Sequence, residues 1–376
     1  MNFRLFKRPL SVFFLITSAS FSLYGQSVPG AGTNGSGYTR IRTAVPFLNI
    51  TPDARISGMG EAGAALAPDV NSLSMNPSKI AFLEQQSGFS LSYSPWLRSI
   101  ASGINLAYLS GFYQINDRST LGASIRYFSL GEIELTDGNQ QDLGTYNPSE
   151  FAADVTYARK FGSSFSMATS IRYIYSGLST NQLGTGQQGM AGKSIAADVS
   201  AYFRKPTYLF GHDAIVAAGV NISNIGTKMY YADGGENYFL PANLKIGGAS
   251  TFILDDFNEL TIAVDFNKLM VPEDSDHTVP AGIFGSFSDS SGGFRGELKE
   301  VNIGSGLEYW YNKRFALRTG YFYENKQMGN RRYFTLGTGI KYEAFNLDFS
   351  YLLANVKNSP LANTLRFTLL FNFGEL

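Results

Sequence analysis

The chain has 376 residues with 30 basic and 30 acidic side chains, so its formal net charge is zero and nothing in that balance suggests a nucleic-acid partner. Aromatic residues make up 14% of the chain and charged residues only 16%, below the roughly 25% typical of soluble globular proteins. Cysteine is absent, which excludes disulfides and cysteine-ligated metals.

The first residues predict export. Arg4, Lys7 and Arg8 precede a short apolar run and then small residues, the order typical of a cleaved secretory signal peptide. We therefore predict a signal peptide over 1–25, followed by a flexible Gly/Ser-rich segment over 26–43. After the signal peptide no apolar stretch reaches the length of a membrane-spanning helix, so a membrane protein with this sequence must be a closed barrel.

Residues 44–87 do not alternate like a strand. Glycines and prolines interrupt them, and two short runs, 61–67 and 78–83, are compatible with helix. We predict a compact plug-like segment that folds into the mouth or lumen of the barrel.

From residue 88 to 376, apolar and polar residues alternate in segments about as long as a tilted strand needs to cross a bilayer. The fold predicted from this pattern is all-β, a transmembrane antiparallel β-barrel of about 14 strands. The candidate strands are 88–95, 103–115, 119–131, 150–161, 164–176, 193–204, 213–224, 242–254, 258–269, 299–311, 314–324, 331–342, 345–354 and 364–373.

The connections distinguish a membrane barrel from a soluble sandwich, in which strands also alternate. Tight turns such as 116–118 and 312–313 take turns with long, polar, Gly-rich segments such as 132–149 and 270–298. Short periplasmic turns and long extracellular loops are the pattern of outer-membrane barrels. We therefore predict the cell outer membrane as the location, with outer-membrane lipid around the wall.

Charged residues inside the strands fall on the face opposite the apolar one, so they are predicted to point into the lumen. A charge on the lipid face near the midplane costs roughly 2–4 kcal/mol. Mixed signs favour ion pairs that brace neighbouring strands over a ligand site. The predicted lumen charges are Arg126, Asp154, Arg172, Asp198, Asp265, Arg318, Asp348 and Arg366.

Motifs for catalysis are weak. Residues 58–63 match the dinucleotide pattern G-x-G-x-x-G, but no βαβ unit surrounds them. The two histidines, His212 and His277, lie in predicted connections, and no Gly-x-Ser-x-Gly elbow occurs. The sequence therefore predicts no catalytic residue, no cofactor and no metal site.

Four short runs in the predicted plug carry a resemblance to a known family. They are Pro46-Phe47-Leu48, Pro52-Asp53-Ala54-Arg55, Gly58-Met59-Gly60-Glu61-Ala62-Gly63 and Asn76-Pro77-Ser78-Lys79. Together they resemble the N-terminal signature of the PorV family of the type IX secretion system of the Bacteroidetes, which is similar in fold to the FadL fatty-acid transporters. Ser78 stands where the related motif usually has alanine.

The resemblance implies a non-enzymatic role. Proteins of this family associate with an SprA-like translocon barrel, accept cargo carrying a C-terminal signal domain, and deliver it to a PorU-containing attachment complex at the cell surface. The signature residues are expected to be structural: Asp53 and Arg55 brace the plug against lumen charges, Gly58 and Gly60 allow tight turns and close packing against the wall, and Asn76 caps a helix that Pro77 begins.

Two alternatives remain open. A FadL-like channel for hydrophobic small molecules would need an elongated apolar pocket of roughly several hundred Å³ open to the outside. A lipid hydrolase would follow a link of the family to lipopolysaccharide deacylation, although no residue here supports an esterase site.

Overall fold

The computed structural model describes residues 41–96, 103–136, 142–178, 189–232, 235–272, 274, 276–290, 292–354 and 364–375. The predicted signal peptide and most of the predicted flexible segment lie outside these residues.

Short helices come first in the described chain. Three are 3-10 helices, Pro46–Asn49, Val70–Ser74 and Pro77–Phe82, and one is the α-helix α1, Ala54–Gly58. Two further α-helices, α2 (Val279–Gly285) and α3 (Phe294–Lys299), lie in one long connection. None of the helices in the described residues is long and apolar enough to cross a membrane.

Sixteen strands follow the plug in the described residues. In chain order they are β1 (Gln85–Pro95), β2 (Ile104–Asn116), β3 (Ser119–Leu130), β4 (Ile133–Thr136), β5 (Asp142–Tyr146), β6 (Ser149–Lys160), β7 (Phe165–Gly177), β8 (Gly192–Leu209), β9 (His212–Gly226), β10 (Asn243–Ile253), β11 (Asn258–Leu269), β12 (Val301–Tyr311), β13 (Phe315–Tyr323), β14 (Arg332–Tyr342), β15 (Phe345–Ala354) and β16 (Leu365–Glu375).

All of these strands except β4 and β5 form one closed antiparallel barrel, and those two form a separate hairpin. Closure is made by β1 and β16, which pair in the register Phe89↔Phe371. The predicted barrel of about 14 strands is therefore confirmed. Because the sheet has no free edge, its backbone N–H and C=O groups can be satisfied in lipid.

Strand parity separates the lumen from the lipid face, as β7 illustrates. Ser166 and Arg172 are buried inside the barrel, whereas Ile171 is 65% exposed on the outer face. The same alternation of exposed apolar and buried polar side chains recurs around the wall. One face of each strand packs inside the barrel and the other contacts lipid, so apolar and polar residues alternate along the strand.

The two ends of the barrel differ in their connections. The chain reverses within a few residues at one end, for example between β2 and β3 or between β12 and β13. Long connections at the other end include the β4–β5 hairpin and the segment carrying α2 and α3. We call these the short-turn end and the long-loop end, which in outer-membrane barrels face the periplasm and the exterior.

The plug occupies the lumen along its length. Near the long-loop end, the ring of Phe47 stacks on Phe128 of β3 with centroids 6.1 Å apart. Toward the short-turn end, Ile80 lies in one apolar cluster with Phe112 and Ala158. Both clusters bury apolar side chains of the plug against small or aromatic wall residues, which keeps the segment inside the barrel.

Some local predictions were wrong. Residues 61–67 form turns and bends rather than a helix. Glu61 has a positive φ of 69°, and the N–H groups of Gly63 and Ala64 donate to the wall residue Asp265. An α-helix would require those N–H groups for its own carbonyls.

The long connections also hold structure that the sequence analysis placed in loops. The β4–β5 hairpin lies within predicted loop 132–149, and α2 and α3 lie within predicted loop 270–298. The barrel also begins earlier than predicted, since β1 starts at Gln85 rather than at residue 88.

Candidate functional site

A chain of buried ion pairs joins the plug to the wall through Arg55 of α1. Its Nε and Nη2 donate to the two carboxylate oxygens of Glu308 at 2.9 and 2.8 Å, and its Nη1 donates to Asp69 at 2.8 Å. Glu308 also accepts from Arg318 Nε at 2.7 Å, and Arg318 Nη1 donates to Asp348 at 2.6 Å. The pairing therefore runs from the plug across three strands of the wall.

Burial makes these ion pairs costly to break. The side chains of Glu308, Arg318 and Asp348 are at most 1% exposed. Removing one member of such a pair leaves an uncompensated charge in a low-dielectric interior. Two predicted lumen charges, Arg318 and Asp348, are thus brought together with signature residue Arg55. Glu308, the shared partner of Arg55 and Arg318, also faces the lumen.

Asp53 acts within the plug rather than on the wall. It is the N-cap of α1, and its carboxylate accepts from the backbone N–H groups of Arg55 at 3.3 Å and Ile56 at 3.0 Å. Asn71 Nδ2 donates to the same carboxylate at 3.1 Å. Burial raises the pKa of Asp53 to about 7, and the nearby carboxylate of Asp69 adds to the rise.

Wall side chains satisfy the irregular backbone of the plug. Asp265 Oδ2 accepts from Gly63 N at 2.7 Å and Ala64 N at 2.8 Å. Thr335 Oγ1 donates to Gly58 O and accepts from Gly60 N, both at 3.0 Å. Buried backbone groups without regular secondary structure need such partners, so the wall itself holds the plug in one conformation.

The signature glycines allow close contact with the wall. Gly60 has a φ of +64°, and a Cβ added there would lie 2.4 Å from the carbonyl oxygen of Ser305. A Cβ added at Gly58 would lie 3.2 Å from the Cα of Gly337. The G-x-G-x-x-G match thus belongs to plug packing, since Gly58 and Gly60 face wall backbone and Gly63 faces the side chain of Ile56 rather than a ligand cavity.

The Asn76-Pro77 pair differs from the prediction. Asn76 occupies the N-cap position of the 3-10 helix that Pro77 begins, but its side chain makes no capping hydrogen bond. Its Nδ2 instead donates to Ala64 O at 2.9 Å and Ala201 O at 3.1 Å, and its Oδ1 accepts from Ser78 Oγ. The predicted cap is therefore wrong, and Asn76 ties two parts of the plug to β8.

Lys79 completes the signature. Its Nζ donates to Gly63 O at 2.8 Å, and the side chain is almost fully buried. Burial lowers the pKa of Lys79 to about 8. Lys79 belongs to the last run of the signature, but no role was predicted for it.

The remaining predicted lumen charges lie around the plug. Arg172 pairs with Asp154 on β6 and with Asp198 on β8, the latter at 2.9 Å. Arg126 donates to the carbonyl oxygen of Leu48 in the plug. Arg366 lies 3.5 Å from Glu61 and packs over the ring of Trp96.

A cavity of about 240 Å³ lies at the long-loop end of the lumen. Strand ends of β9 to β13 supply its polar side, with Asn221, Lys245 and Asn302 among the lining residues. Plug residues Leu48 and Ile50 supply apolar surface. The cavity is therefore two-sided, unlike an elongated apolar channel.

The long connection between β11 and β12 exposes large apolar side chains. Phe284 of α2 and Phe294 of α3 are each 77% exposed, and Leu298 is 56% exposed. Beneath them, Lys268 Nζ pairs with Glu297 at 2.8 Å and with Glu300 at 2.5 Å, which fastens α3 to the tip of β11. These side chains are candidates for an interaction surface, because exposed apolar patches are a feature of interaction sites.

Comparisons with known proteins add two findings. A family model described as type IX secretion system protein PorV matches residues 34–276, which is more than half of the chain. A comparison with curated proteins returned no match.

Solved structures show the fold. The Pseudomonas putida toluene transporter TodX aligns over 85% of this chain and 98% of its own, with 11% identity and a TM-score of 0.52. A TodX mutant described as a monoaromatic hydrocarbon channel gives the same coverage, 13% identity and a TM-score of 0.51. A Pseudomonas aeruginosa FadL homologue aligns with 10% identity over 86% of this chain and 99% of its own, with a TM-score of 0.46.

Proposed function

Since this chain belongs to the PorV family of type IX secretion system proteins, we propose that it receives cargo with C-terminal signal domains from an SprA-like translocon barrel and hands it to a PorU-containing attachment complex. The family and the barrel fold fit an outer-membrane location. Export by a cleaved signal peptide over 1–25 is part of the proposal.

The observation that carries the proposal is the anchored plug. A lumen crossed by the buried pairs of Arg55, Glu308 and Arg318 leaves no passage for a protein. The proposed role is therefore that of a receptor whose contacts lie outside the lumen. Chemistry by the barrel itself is not required, and we propose that the protein is not an enzyme.

The partner surface that we propose is at the long-loop end. Phe284, Phe294 and Leu298 offer exposed apolar side chains there, and Lys268 fastens α3, which carries Phe294 and Leu298, to the wall. Aromatic and apolar anchors of this kind carry much of the binding energy in protein interfaces. The cargo signal domain is the occupant assigned to this surface, and the lipid-facing wall is assigned to the translocon.

The FadL-like channel is supported less. The cavity at the mouth has a volume of about 240 Å³ and a lining rich in asparagine and charged groups. The likeness to TodX at 11–13% identity concerns the fold alone. A channel for hydrophobic molecules would need a longer apolar route past the plug.

Purification of the tagged protein from native membranes tests the proposal. We expect the wild type to recover translocon and cargo proteins with C-terminal signal domains. The double variant Phe284→Ser/Phe294→Ser should recover at least several-fold less cargo, because two exposed apolar anchors are removed.

Phe210→Ser is the matched control, since Phe210 is 90% exposed but lies in the turn between β8 and β9 at the short-turn end. It should recover as much cargo as the wild type. Recovery of neither translocon nor cargo by the folded wild type would overturn the secretion role. Mass spectrometry of lipid A incubated with the purified barrel tests the non-enzymatic part, and loss of acyl chains would contradict it.

A further inference from the structure

Lys245 is a buried cation without an anionic partner in a salt bridge among the described residues. It lies on β10, faces the lumen and is 8% exposed. Its Nζ lies 2.9 Å from the sulfur of Met75, and a thioether is a weak acceptor. An ammonium group held in this way retains capacity for a stronger acceptor.

The acidic groups around Lys245 already have other partners. Asp265 uses Oδ2 for the plug N–H groups of Gly63 and Ala64, and its buried Oδ1 has no hydrogen-bond partner among the described residues. Within the cavity lining, Glu61 is 3.5 Å from Arg366, Glu324 is 2.8 Å from Arg331 and Glu300 is 2.5 Å from Lys268. Lys245 is therefore the cavity-lining cation that has no carboxylate at salt-bridge distance among the described residues, and its ammonium group can take the carboxylate of a ligand.

Asparagines flank Lys245 in one row across the sheet. Asn221 on β9 and Asn267 on β11 are its direct cross-strand neighbours, and Asn302 on β12 is the next neighbour of Asn267. Directly opposed side chains in an antiparallel pair start about 4.5–5.5 Å apart. The four side chains thus form a continuous polar row, and all four line the cavity.

Two of these amides present unpartnered acceptors. The Oδ1 atoms of Asn221 and Asn302 are buried and have no hydrogen-bond partner among the described residues. Buried polar atoms are rarely left in this state. Both side chains line the cavity, so an amide that turned toward a bound ligand would accept an N–H from it, while Lys245 would take an acceptor.

Apolar side chains also line the cavity, beside the ion pairs of Glu61 and Glu324. Leu48 and Ile50 of the plug, together with Trp96, Phe322 and Leu352, line it. This surface can accept an aliphatic side chain. The cavity volume of about 240 Å³ limits the ligand to a few residues of peptide or a similar small molecule.

We propose that this cavity binds the free C-terminal end of a peptide: the carboxylate on Lys245, backbone N–H groups on Asn221 and Asn302, and an apolar side chain against the plug. A simple aliphatic acid would offer the carboxylate but no N–H donors. The inference does not assume the secretion role, because it concerns a ligand class and a site within the lumen mouth.

The test uses the full-length barrel in detergent micelles with Trp96 as the reporter. The chain has two tryptophans, and Trp310→Phe leaves Trp96, which lines the cavity. The probes are an N-acetylated dipeptide with leucine side chains, the same dipeptide as its C-terminal amide, and octanoate. Binding is measured from the fluorescence of Trp96 during titration.

In the Trp310→Phe parent, the dipeptide acid should bind at least 10-fold more tightly than its amide. Adding Lys245→Met should abolish that difference, whereas Lys245→Arg should keep most of it because the charge remains. Asn302→Leu should weaken acid and amide equally. The matched control is Lys313→Met, which removes a lysine that is 77% exposed at the short-turn end. It should leave the preference for the acid over the amide unchanged.

Folding of each variant is checked by heat-modifiable migration on a gel, and Lys245→Gln replaces Lys245→Met if the latter does not fold. An unchanged preference for the acid in the folded Lys245 variant would overturn the proposal, as would a parent that binds acid and amide equally. Octanoate that competes as strongly as the dipeptide acid would overturn the peptide assignment. Capture of secretion partners is measured in a separate experiment. The secretion role and the peptide site can therefore fail independently of each other.

Discussion

Two parts of the lumen satisfy their charges in different ways. Around α1, each charged group of the series Asp69, Arg55, Glu308, Arg318 and Asp348 has an oppositely charged partner within 2.6–2.9 Å. At the mouth, Lys245 has only a thioether within hydrogen-bond distance among the described residues, and two neighbouring amide oxygens have no partner. The first arrangement holds the plug, and the second leaves groups available to a ligand.

The largest effect is expected from Glu308→Ala. It leaves Arg55 and Arg318 buried without their shared carboxylate, so the free energy of unfolding should fall by about 3–5 kcal/mol. Urea unfolding of the barrel in detergent micelles measures it. Glu259→Ala is the control, because Glu259 pairs at 3.6 Å with a largely exposed Lys313, and exposed pairs contribute about 0–1 kcal/mol. Equal losses in the two variants would show that the plug network is not an anchor.

The second largest loss of stability is expected where the plug backbone lies against the wall, at Gly60. Gly60→Ala places a Cβ 2.4 Å from the carbonyl oxygen of Ser305, so the plug must move, at a cost of about 1–3 kcal/mol. Gly162→Ala isolates the contact, because Gly162 also has a positive φ of 88° but open space around it. Protease digestion of the plug should increase for Gly60→Ala alone. Equal digestion of both variants would mean that backbone strain, not contact, decides the outcome.

A smaller effect follows from pH. The pKa of Asp53 rises from 3.8 to about 7 on folding, so the folded state holds a proton that the unfolded state releases, and stability falls as pH rises through that range. Between pH 6 and 7 the loss is about 1 kcal/mol. The charged groups that face Asp53 are Asp69, Asp348 and Arg55, with burial as the main cause.

The titration of Lys79 changes the stability of the protein in the opposite direction. Its pKa falls from 10.5 to about 8 on folding, so stability should recover by about 1 kcal/mol between pH 8 and 9. Hydrogen exchange of the plug amides, measured as a function of pH, reports both changes. Plug stability should be lowest between pH 7 and 8. Asp53→Asn should remove only the fall in stability on the acid side of this minimum. Lys79→Met should remove only the rise on its alkaline side. A flat profile in the wild type would contradict both assignments.

The smallest effect on stability is expected at Lys245. Lys245→Met should change the free energy of unfolding by less than about 1 kcal/mol, because replacing a poorly paired buried charge by an apolar side chain removes its desolvation cost. Glu308→Ala, in the paired region, should cost several times more in the same urea experiment. A loss in Lys245→Met as large as that in Glu308→Ala would assign Lys245 to the anchor rather than to a ligand.

Local pattern was sufficient for the wall. Alternation with period two predicted the outward Ile171 and the inward Arg172 of β7, and connection lengths predicted which end carries the long loops. These features depend on neighbouring residues, because successive side chains of a strand point to opposite faces. The type IX family resemblance was likewise carried by short runs in the plug.

Local pattern was insufficient where the wall decides the conformation. Residues 61–67 have helix-compatible composition, but Asp265 takes the N–H groups of Gly63 and Ala64. Asn76 has the sequence position of a cap, but the carbonyl of Ala201 on β8 accepts from its side chain. In both cases a partner more than a hundred positions away in the chain outcompetes the local hydrogen bond.

By itself, the sequence determined the barrel, the approximate number of strands, the face on which charges lie and the family. Tertiary structure alone decided which charges meet: Arg55 and Glu308 are 253 positions apart, and the row from Asn221 to Asn302 exists only because four strands share one register. The physical reason is that strand parity is a local property of the backbone, whereas cross-strand register and the packing of the plug are set when the sheet closes.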